Sequence, residues 1–311
     1  MTDNSAISSG SALAPLVATP LDACVVFLKS WATEGADRAS LVAEWNSTMV
    51  VENVAAVCPN TIVVLHGASP NTLPWKDNSN VTAILAAHLP GQETGNSIVD
   101  VLWGDVNPSG RLPYTIANEE SDYDNKLVNS TELLESTDPN IWQDDFSEGN
   151  LIDYKEFDAA NKSVAYEFGF GLSYTTFELS DLKINTLMSN ASRIPSSSAK
   201  IIPGGNEELW ETMVTVCATV KNTGSVDGAA VPQLYLSVPA EAGDKTVRNL
   251  RGFDKISLAA GASSTVEFPL MRRDLSYWDV SAQTWRLPAS SMAVDVGFSS
   301  RDFKLKGEIK V

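Results

Sequence analysis

The sequence predicts an α/β domain, with a mainly parallel sheet covered by helices on both faces, followed by an antiparallel β-sandwich. The first half of the chain alternates apolar strand-like runs with segments of helical periodicity. The second half contains short alternating strands between turn signals. The length of 311 residues allows each of two domains to bury its own core. We place the domains at residues 21–177 and 178–311, after an N-terminal segment at 1–20 that is expected to be disordered or irregular.

The elements of the first domain follow from apolar runs and from stop signals. Residues 40–57 carry apolar side chains at helical spacing before Pro59, and residues 93–102 form a second helix that ends at Gly104. The order strand, helix, strand, strand, helix predicts a parallel sheet. Three continuous apolar runs, of the kind buried on both faces, are the predicted strands, at 23–28, 61–66 and 81–87.

The second domain is predicted from short strands and the turns between them. Turn signals lie at 222–224 (Asn-Thr-Gly) and 260–261 (Ala-Gly). Strands at this spacing are typical of a β-sandwich, and we expect Tyr235, Trp278 and Trp285 in its core. The predicted strands span residues 213–220, 231–238, 264–270 and 292–296.

The charge of the chain is unevenly distributed. The 39 acidic and 22 basic side chains give a net charge of −17. Residues 1–180 hold 25 acidic and 7 basic side chains, and 13 of these acidic side chains lie at 119–158. We expect this acidic stretch to be either a solvated loop or the rim of a site. An acidic surface repels phosphate backbones and anionic lipid, so we expect no nucleic-acid or membrane partner. No run of 18 apolar residues is available to span a bilayer.

The cysteines and histidines predict no metal and no cofactor. Three cysteines without a C-x-x-C pair are too few for a disulfide scaffold or a metal centre. Cys24 and Cys58 lie near the starts of two neighbouring strands, which makes a bridge conceivable without deciding it, and Cys217 is expected to be a small buried hydrophobe. His66 and His88 suggest a catalytic base or metal ligands. Core residues or supporting hydrogen-bond donors are the favoured interpretation.

Two further motifs also have structural interpretations. The glycine-containing segment at 91–96 resembles an anion site at a helix N-terminus, but the acidic surroundings argue against phosphate. Residues 107–110 (Asn-Pro-Ser-Gly) are expected to form a type I turn.

Several ordered motifs resemble one family. In the first domain they read Trp-Ala-Thr-Glu-Gly-Ala-Asp-Arg at 31–38, Leu-Pro-Gly-Gln-Glu-Thr-Gly-Asn at 89–96, Gly-Asp-Val-Asn-Pro-Ser-Gly-Arg-Leu-Pro at 104–113, Glu-Gly-Asn-Leu-Ile-Asp-Tyr at 148–154 and Tyr-Glu-Phe-Gly-Phe-Gly-Leu-Ser-Tyr at 166–174. In the second they read Val-Lys-Asn-Thr-Gly at 220–224, Leu-Arg-Gly-Phe at 250–253, Arg-Asp-Leu-Ser-Tyr-Trp-Asp at 273–279 and Ser-Ser-Arg-Asp at 299–302. From Leu21 onward the chain resembles the C-terminal part of the fungal β-glucosidases of glycoside hydrolase family 3, an α/β sandwich domain followed by a fibronectin type III-like domain.

The resemblance implies retaining hydrolysis of β-glucosides or oligosaccharides. This chemistry needs two carboxyl groups about 5–5.5 Å apart, one nucleophilic and one that acts as acid and then base. In this family the nucleophile is an Asp of an N-terminal TIM barrel, and the acid/base is a Glu on a loop of the following α/β sandwich. The match at 31–38 assigns the acid/base role to Glu34. Its position after a buried strand agrees with a site at the carboxyl end of a parallel sheet.

The resemblance also implies a missing partner. The residues before Leu21 are too few for a barrel of about 250 residues, and the first strands of the sandwich domain are expected to be missing as well. Ser121-Asp122-Tyr123 superficially resembles the nucleophile's setting but lies inside the sandwich-domain match. We therefore expect a β-glucosidase region that needs a separate TIM-barrel domain and has little activity alone. The alternative is a non-catalytic carbohydrate-binding or interaction module derived from such an enzyme.

Three residues bear on the sugar site that the resemblance implies. Trp142 and Phe146, in the long polar segment at 118–150, are weak candidates for sugar stacking, and docking on a neighbouring domain is the alternative. Ala36 stands where the family commonly has an aromatic residue for the aglycone subsite. Either the aglycone preference differs here or selection on the site has relaxed. The family implies an extracellular location, although residues 1–20 lack a signal-peptide pattern.

Overall fold

The computed structural model describes residues 5–10, 21–35, 38–123, 147–188 and 191–310. Trp142, Phe146 and Ala36 lie outside these ranges, so their roles stay predictions. None of the described helices has the length and apolar character needed to cross a membrane. The chain divides into two compact units, of which unit 1 is Met1–Asp105, Thr115–Lys126 and Ser163–Tyr166, and unit 2 is Val106–Tyr114, Leu127–Lys162 and Glu167–Val311.

Unit 1 contains the predicted parallel sheet. Its strands have the order β1-β2-β3, and both pairings are parallel, which confirms the sequence prediction. The elements are α1 (Ser5–Ser8), β1 (Cys24–Lys29), α2 (Ser47–Val57), β2 (Thr61–His66), β3 (Val81–Ala86) and α3 (Thr94–Trp103).

The helices of unit 1 differ from the prediction mainly at the start of α2, and the short helix α1 was not predicted. Helix α2 begins at Ser47 instead of residue 40, because Trp45 and Asn46 have φ angles of 58° and 54° that an α-helix excludes. Helix α3 lies one residue further along the chain than the predicted 93–102 and stops at Gly104 as predicted. Gly104 caps it with φ 84°, a left-handed conformation that glycine adopts without a steric penalty.

Strand position explains the burial within the sheet. The central strand β2 is buried along most of its length, as predicted. Strand β1 instead alternates, with Val26 and Leu28 buried and Val25 and Phe27 exposed. The prediction of strands buried on both faces was therefore wrong for β1, which is an edge strand of the described sheet with only one face covered, and for β3, the other edge strand, which has no fully buried residue.

A disulfide joins the starts of β1 and β2. Cys24 and Cys58 are bonded, with their Cα atoms 6.3 Å apart, which settles the pairing that the sequence left open. The loop that it closes spans 34 residues. The bond therefore restricts the conformations that the unfolded chain can adopt between residues 24 and 58.

We expect the double variant Cys24→Ser/Cys58→Ser to lower the free energy of unfolding of unit 1 by about 3–4 kcal/mol, because closing a loop of 34 residues removes that much chain entropy from the unfolded state. Urea denaturation of oxidised protein measures the loss. Cys217→Ser is the control, since this free cysteine lies outside unit 1. An equal loss in both variants would contradict the expectation.

Unit 2 is dominated by antiparallel strands, as predicted. Two of its sheets have the orders β12-β7-β4 and β10-β9-β15-β16. The elements are α4 (Tyr154–Ala159), β4 (Phe177–Thr186), β5 (Ile201–Ile202), β6 (Gly205–Asn206), β7 (Thr212–Asn222), β8 (Gly228–Ala230), β9 (Gln233–Ser237), β10 (Arg248–Phe253), β11 (Ile256–Leu258), β12 (Ser263–Met271), α5 (Arg272–Leu275), β13 (Tyr277–Asp279), β14 (Thr284–Arg286), β15 (Met292–Gly297) and β16 (Phe303–Ile309).

The core of unit 2 lies between these two sheets. Alternate residues of the central strands β7, β9 and β15 contribute to one apolar cluster, which includes Val216, Leu234 and Val294. Tyr235 is also fully buried, but it lies on the face of β9 opposite to Leu234 and outside this cluster. There its ring contacts Tyr154 and Phe303, and its hydroxyl donates to Gln233 Oε1 at 2.7 Å. The predicted burial of Tyr235 is confirmed, but its predicted place between the two sheets is not.

Three expectations for unit 2 were wrong. Trp278 is 42% exposed and Trp285 is half-buried, because the β13–β14 hairpin that carries them lies outside the two main sheets. Cys217 is also only half-buried, because it lies on the face of β7 that alternates with the core positions. The segment at 107–110 forms no turn. Instead, the Asn107 side chain donates to the carbonyl of Asp227 at 2.9 Å.

Candidate active site

The candidate site lies at the carboxyl edge of the parallel sheet, where β1 and β2 both end. Directly after β1, the Ser30 N–H donates to the carbonyl of His66, the last residue of β2, at 2.8 Å. After β2, a Cβ on Gly67 would lie 2.6 Å from both Ser30 Oγ and Asn71 Nδ2. Glycine therefore permits the two loops that follow these strands to approach closely.

The Glu34 loop, residues 31–38, continues from β1 and carries the predicted acid/base. Its described residues from Trp31 to Gly35 are exposed, and Gly35 has φ 76°. No hydrogen bond or ion pair engages the Glu34 carboxylate among the residues that the structure describes. Glu34 is thus a solvent-accessible carboxyl group that a ligand can reach. Its catalytic role stays a prediction.

Glu44 connects the two ends of the Glu34 loop. Its Oε2 accepts a hydrogen bond from the Trp31 N–H at 2.9 Å, and its Oε1 accepts one from Arg38 Nε at 3.1 Å. The Arg38 side chain is 8% exposed in this ion pair. One carboxylate therefore fixes the separation of the ends of the loop that presents Glu34.

Arg38 joins the Glu34 loop to the loop after β2. Its Nη1 donates to Ser69 Oγ at 2.6 Å and to the Pro70 carbonyl at 3.2 Å. Its Nη2 donates to the Val42 carbonyl at 3.2 Å and to Asn71 Oδ1 at 2.9 Å. Together with the bond to Glu44, all five donors of the guanidinium group are used. The charged guanidinium group of Arg38 is nearly buried and fully hydrogen-bonded. Its bonds therefore hold the surrounding loops in a single geometry.

Two buried polar atoms at the same edge have no partner among the described residues. They are Ser30 Oγ and His66 Nε2. The His66 ring stacks on Phe27, with the ring centroids 6.4 Å apart. Burial lowers the pKa of His88 below the usual histidine value, which favours the neutral ring. The described residues hold no group of three or more His, Cys, Asp or Glu side chains that could bind a metal ion.

The hydrogen bonds of Glu44 to Trp31 and to Arg38, which we call the Arg38–Glu44 clamp, were not predicted from the sequence. Arg38 was included in the motif at 31–38, but its role depends on partners from two other stretches of the chain, 42–44 and 69–71. A basic residue at the end of a loop that otherwise lacks bases was the available signal. Only the fold shows that Glu44 contacts both ends of the loop.

Two family models match the chain. Residues 4–174 match the glycosyl hydrolase family 3 C-terminal domain, and residues 230–300 match the fibronectin type III-like domain. The first match covers more than half of the chain.

Similar proteins agree with this result. The chain is 54% identical over 308 residues to the probable beta-glucosidase G of Aspergillus flavus, covering 99% of this chain and 37% of that protein. It is 49% identical over 307 residues to the probable beta-glucosidase M of Aspergillus niger, covering 97% of this chain and 38% of that protein.

Solved structures give the same outcome. The beta-D-glucoside glucohydrolase of Trichoderma reesei superimposes with a TM-score of 0.87 at 39% identity, and the match covers 100% of this chain and 42% of that chain. The beta-glucosidase D2-BGL of Chaetomella raphigera gives a TM-score of 0.86 at 41% identity, covering 97% of this chain and 41% of that chain. The chain thus spans less than half the length of these proteins, and it belongs to glycoside hydrolase family 3, of which it contains the C-terminal domain and a fibronectin type III-like domain.

Proposed function

We propose that the chain is the C-terminal region of an enzyme that hydrolyses terminal non-reducing β-D-glucosyl residues with retention, and that Glu34 is its acid/base. The observation that carries this proposal is the Glu34 loop. Its carboxyl group is exposed, and both ends of the loop are tied to Glu44. Similarity to proteins named as β-glucosidases supports the substrate class.

Retaining hydrolysis divides the chemistry between two carboxyl groups. In the first step, protonated Glu34 donates its proton to the glycosidic oxygen while a nucleophilic carboxylate attacks the anomeric carbon. In the second step, the Glu34 carboxylate removes a proton from water as the glycosyl–enzyme bond is hydrolysed. Glu34 suits this role because no described side chain forms an ion pair or a hydrogen bond with its carboxylate.

We assign the nucleophile to a TIM-barrel domain that these 311 residues do not contain. The coverage supports this assignment, since the chain matches only 37% of the Aspergillus flavus relative. Glu34 alone cannot form the covalent glycosyl–enzyme intermediate, because that step needs the nucleophile. When one of two catalytic residues that act as a unit is absent, most of the rate acceleration that both provide is lost.

We expect the isolated chain to give no turnover of an aryl β-glucoside above background, and co-expression with the unmatched part of the Aspergillus flavus relative to restore it. The reason is that each part supplies one carboxyl group. Release of the aryl alcohol measures both reactions, and the co-expressed part alone is the control. Turnover by the isolated chain that remains through successive purification steps would contradict the division of the site. A complex that forms without activity would contradict the proposed function.

A further inference from the structure

Unit 2 contains a surface groove with a volume of about 630 Å³. This volume lies within the range of about 300–1,000 Å³ that is usual for small-ligand sites. We call it the Trp278 groove. Polar and aromatic side chains from three elements line this groove. They are Lys155 from α4, Asn249 and Arg251 from β10, and Tyr277, Trp278 and Trp285 from the β13–β14 hairpin.

The groove has an aromatic surface held in a fixed orientation. Trp278 and Trp285 face each other across the hairpin, and their rings meet edge to face at a centroid distance of 5.8 Å and an angle of 73°. Trp278 nevertheless remains 42% exposed. An exposed indole that is supported by a second aromatic ring is a rigid apolar face with little conformational entropy to lose on binding.

Polar groups beside this aromatic surface have unused hydrogen-bonding capacity. Arg251 Nε donates to the Asp274 carbonyl at 3.2 Å, whereas its two Nη groups have no partner among the described residues. The Lys155 ammonium and the Asn249 amide also lack a described hydrogen-bond partner. Burial lowers the pKa of Lys155, and the nearby charge of Arg251 lowers it further, while Asp244 raises it.

The charges that line the groove balance. The lining contains three carboxylates and three cations. The carboxylates are Glu148, Asp244 and Asp274, and the cations are Lys155, Lys245 and Arg251. A balanced set of donors and acceptors beside an apolar face suits a neutral ligand that is rich in hydroxyl groups, because the net charge of zero gives neither an anion nor a cation an overall attraction.

We propose that the Trp278 groove binds a neutral oligosaccharide, with one pyranose ring stacked on Trp278 and its hydroxyl groups hydrogen-bonded to Lys155, Asn249 and Arg251. The C–H face of a pyranose ring is apolar and its rim is polar, which matches the two parts of the groove. This binding site is independent of the proposed function, because every residue that it uses belongs to unit 2 and Glu34 belongs to unit 1.

Calorimetric titration of the full chain with cellotetraose and with laminaritetraose tests the proposal. We expect binding of at least one of them, accompanied by a change in tryptophan fluorescence. Trp278→Ala is expected to weaken it by about tenfold, equivalent to about 1.4 kcal/mol, while Trp278→Phe keeps an aromatic face and most of the affinity. Trp103→Ala is the matched control, since this indole is 73% exposed and lies in unit 1.

Lys155→Met is a second test in case Trp278→Ala alters the hairpin, which thermal melting of each variant reveals. We expect it to weaken binding by about fivefold, because it removes a donor while keeping an apolar stem. The absence of heat with either sugar at millimolar concentration would overturn the proposal. So would binding that neither groove variant weakens, or binding that Glu34→Gln alone abolishes, since the sugar would then be bound at the Glu34 loop.

Discussion

Glu34→Gln is expected to slow hydrolysis of a glucoside with a poor leaving group by about 10²–10⁴-fold in the assembled enzyme, the range that general acid catalysis contributes. Glutamine keeps the size of the side chain but cannot donate a proton to the glycosidic oxygen. The assembled enzyme is this chain co-expressed with the unmatched part of the Aspergillus flavus relative. Values of kcat/KM for alkyl and for dinitrophenyl β-glucosides measure the effect.

The leaving group separates acid catalysis from positioning. Dinitrophenolate leaves without protonation, so kcat/KM for the dinitrophenyl glucoside should fall much less than for the alkyl glucoside. Added azide should accelerate Glu34→Ala, because azide attacks the anomeric carbon of the glycosyl–enzyme without needing a general base, which frees the nucleophilic carboxylate and releases the glucosyl azide. Glu52→Gln is the control, since Glu52 is an exposed carboxyl group on α2. Equal losses on both substrates would identify Glu34 as a binding residue instead of an acid.

The parallel sheet was predictable because its apolar runs are uninterrupted. The bounds 61–66 agree with β2, where burial dominates the sequence pattern. Helix α2 was predicted too long because apolar periodicity continues through residues 40–46, where only the φ angles of Trp45 and Asn46 break the helix. Local backbone conformation of this kind leaves no apolar signal.

Strand β4 shows why part of the β-sandwich was missed. Its pairing with β7 shifts between Ser180 and Lys183, and Asp181 has φ 55° at this irregularity. A bulge changes the phase of the alternation, so Leu179 and Leu182 do not follow a period of two. A search for strict alternation therefore overlooks a strand that is 10 residues long.

The sequence predicts a catalytic role for Glu34 but does not predict the groups around it. A family motif identifies a residue at one position, whereas the clamp joins Trp31, Arg38 and Glu44 through contacts that only the fold creates. Trp278 was misplaced for a related reason. An aromatic residue in a short strand is typical of a core, and nothing in the pattern indicates that its hairpin lies outside the main sheets.

Arg38→Met is expected to destabilise unit 1 by about 2–3 kcal/mol, because the Arg38 side chain is 8% exposed and its removal leaves partly buried acceptors without a donor. The Glu44 side chain, in contrast, is 30% exposed and keeps contact with water. The substitution removes five hydrogen bonds and leaves the Glu44 carboxylate and Asn71 Oδ1 without the donor they now share. Methionine keeps most of the apolar volume, so the loss reports the guanidinium group. Calorimetric unfolding of oxidised chain measures it.

Two matched variants decide what the clamp does. Arg193→Met is the exposed control: the Arg193 side chain is 43% exposed in its ion pair with Glu241, so its loss should stay near 1 kcal/mol or below. Arg38→Lys keeps the charge but lacks the planar group that reaches Glu44, Ser69 and Asn71 together, so it should recover only part of the stability. Full recovery with lysine would mean that charge alone stabilises the site. Equal losses for Arg38→Met and Arg193→Met would mean that the clamp adds no stability to the loop that presents Glu34.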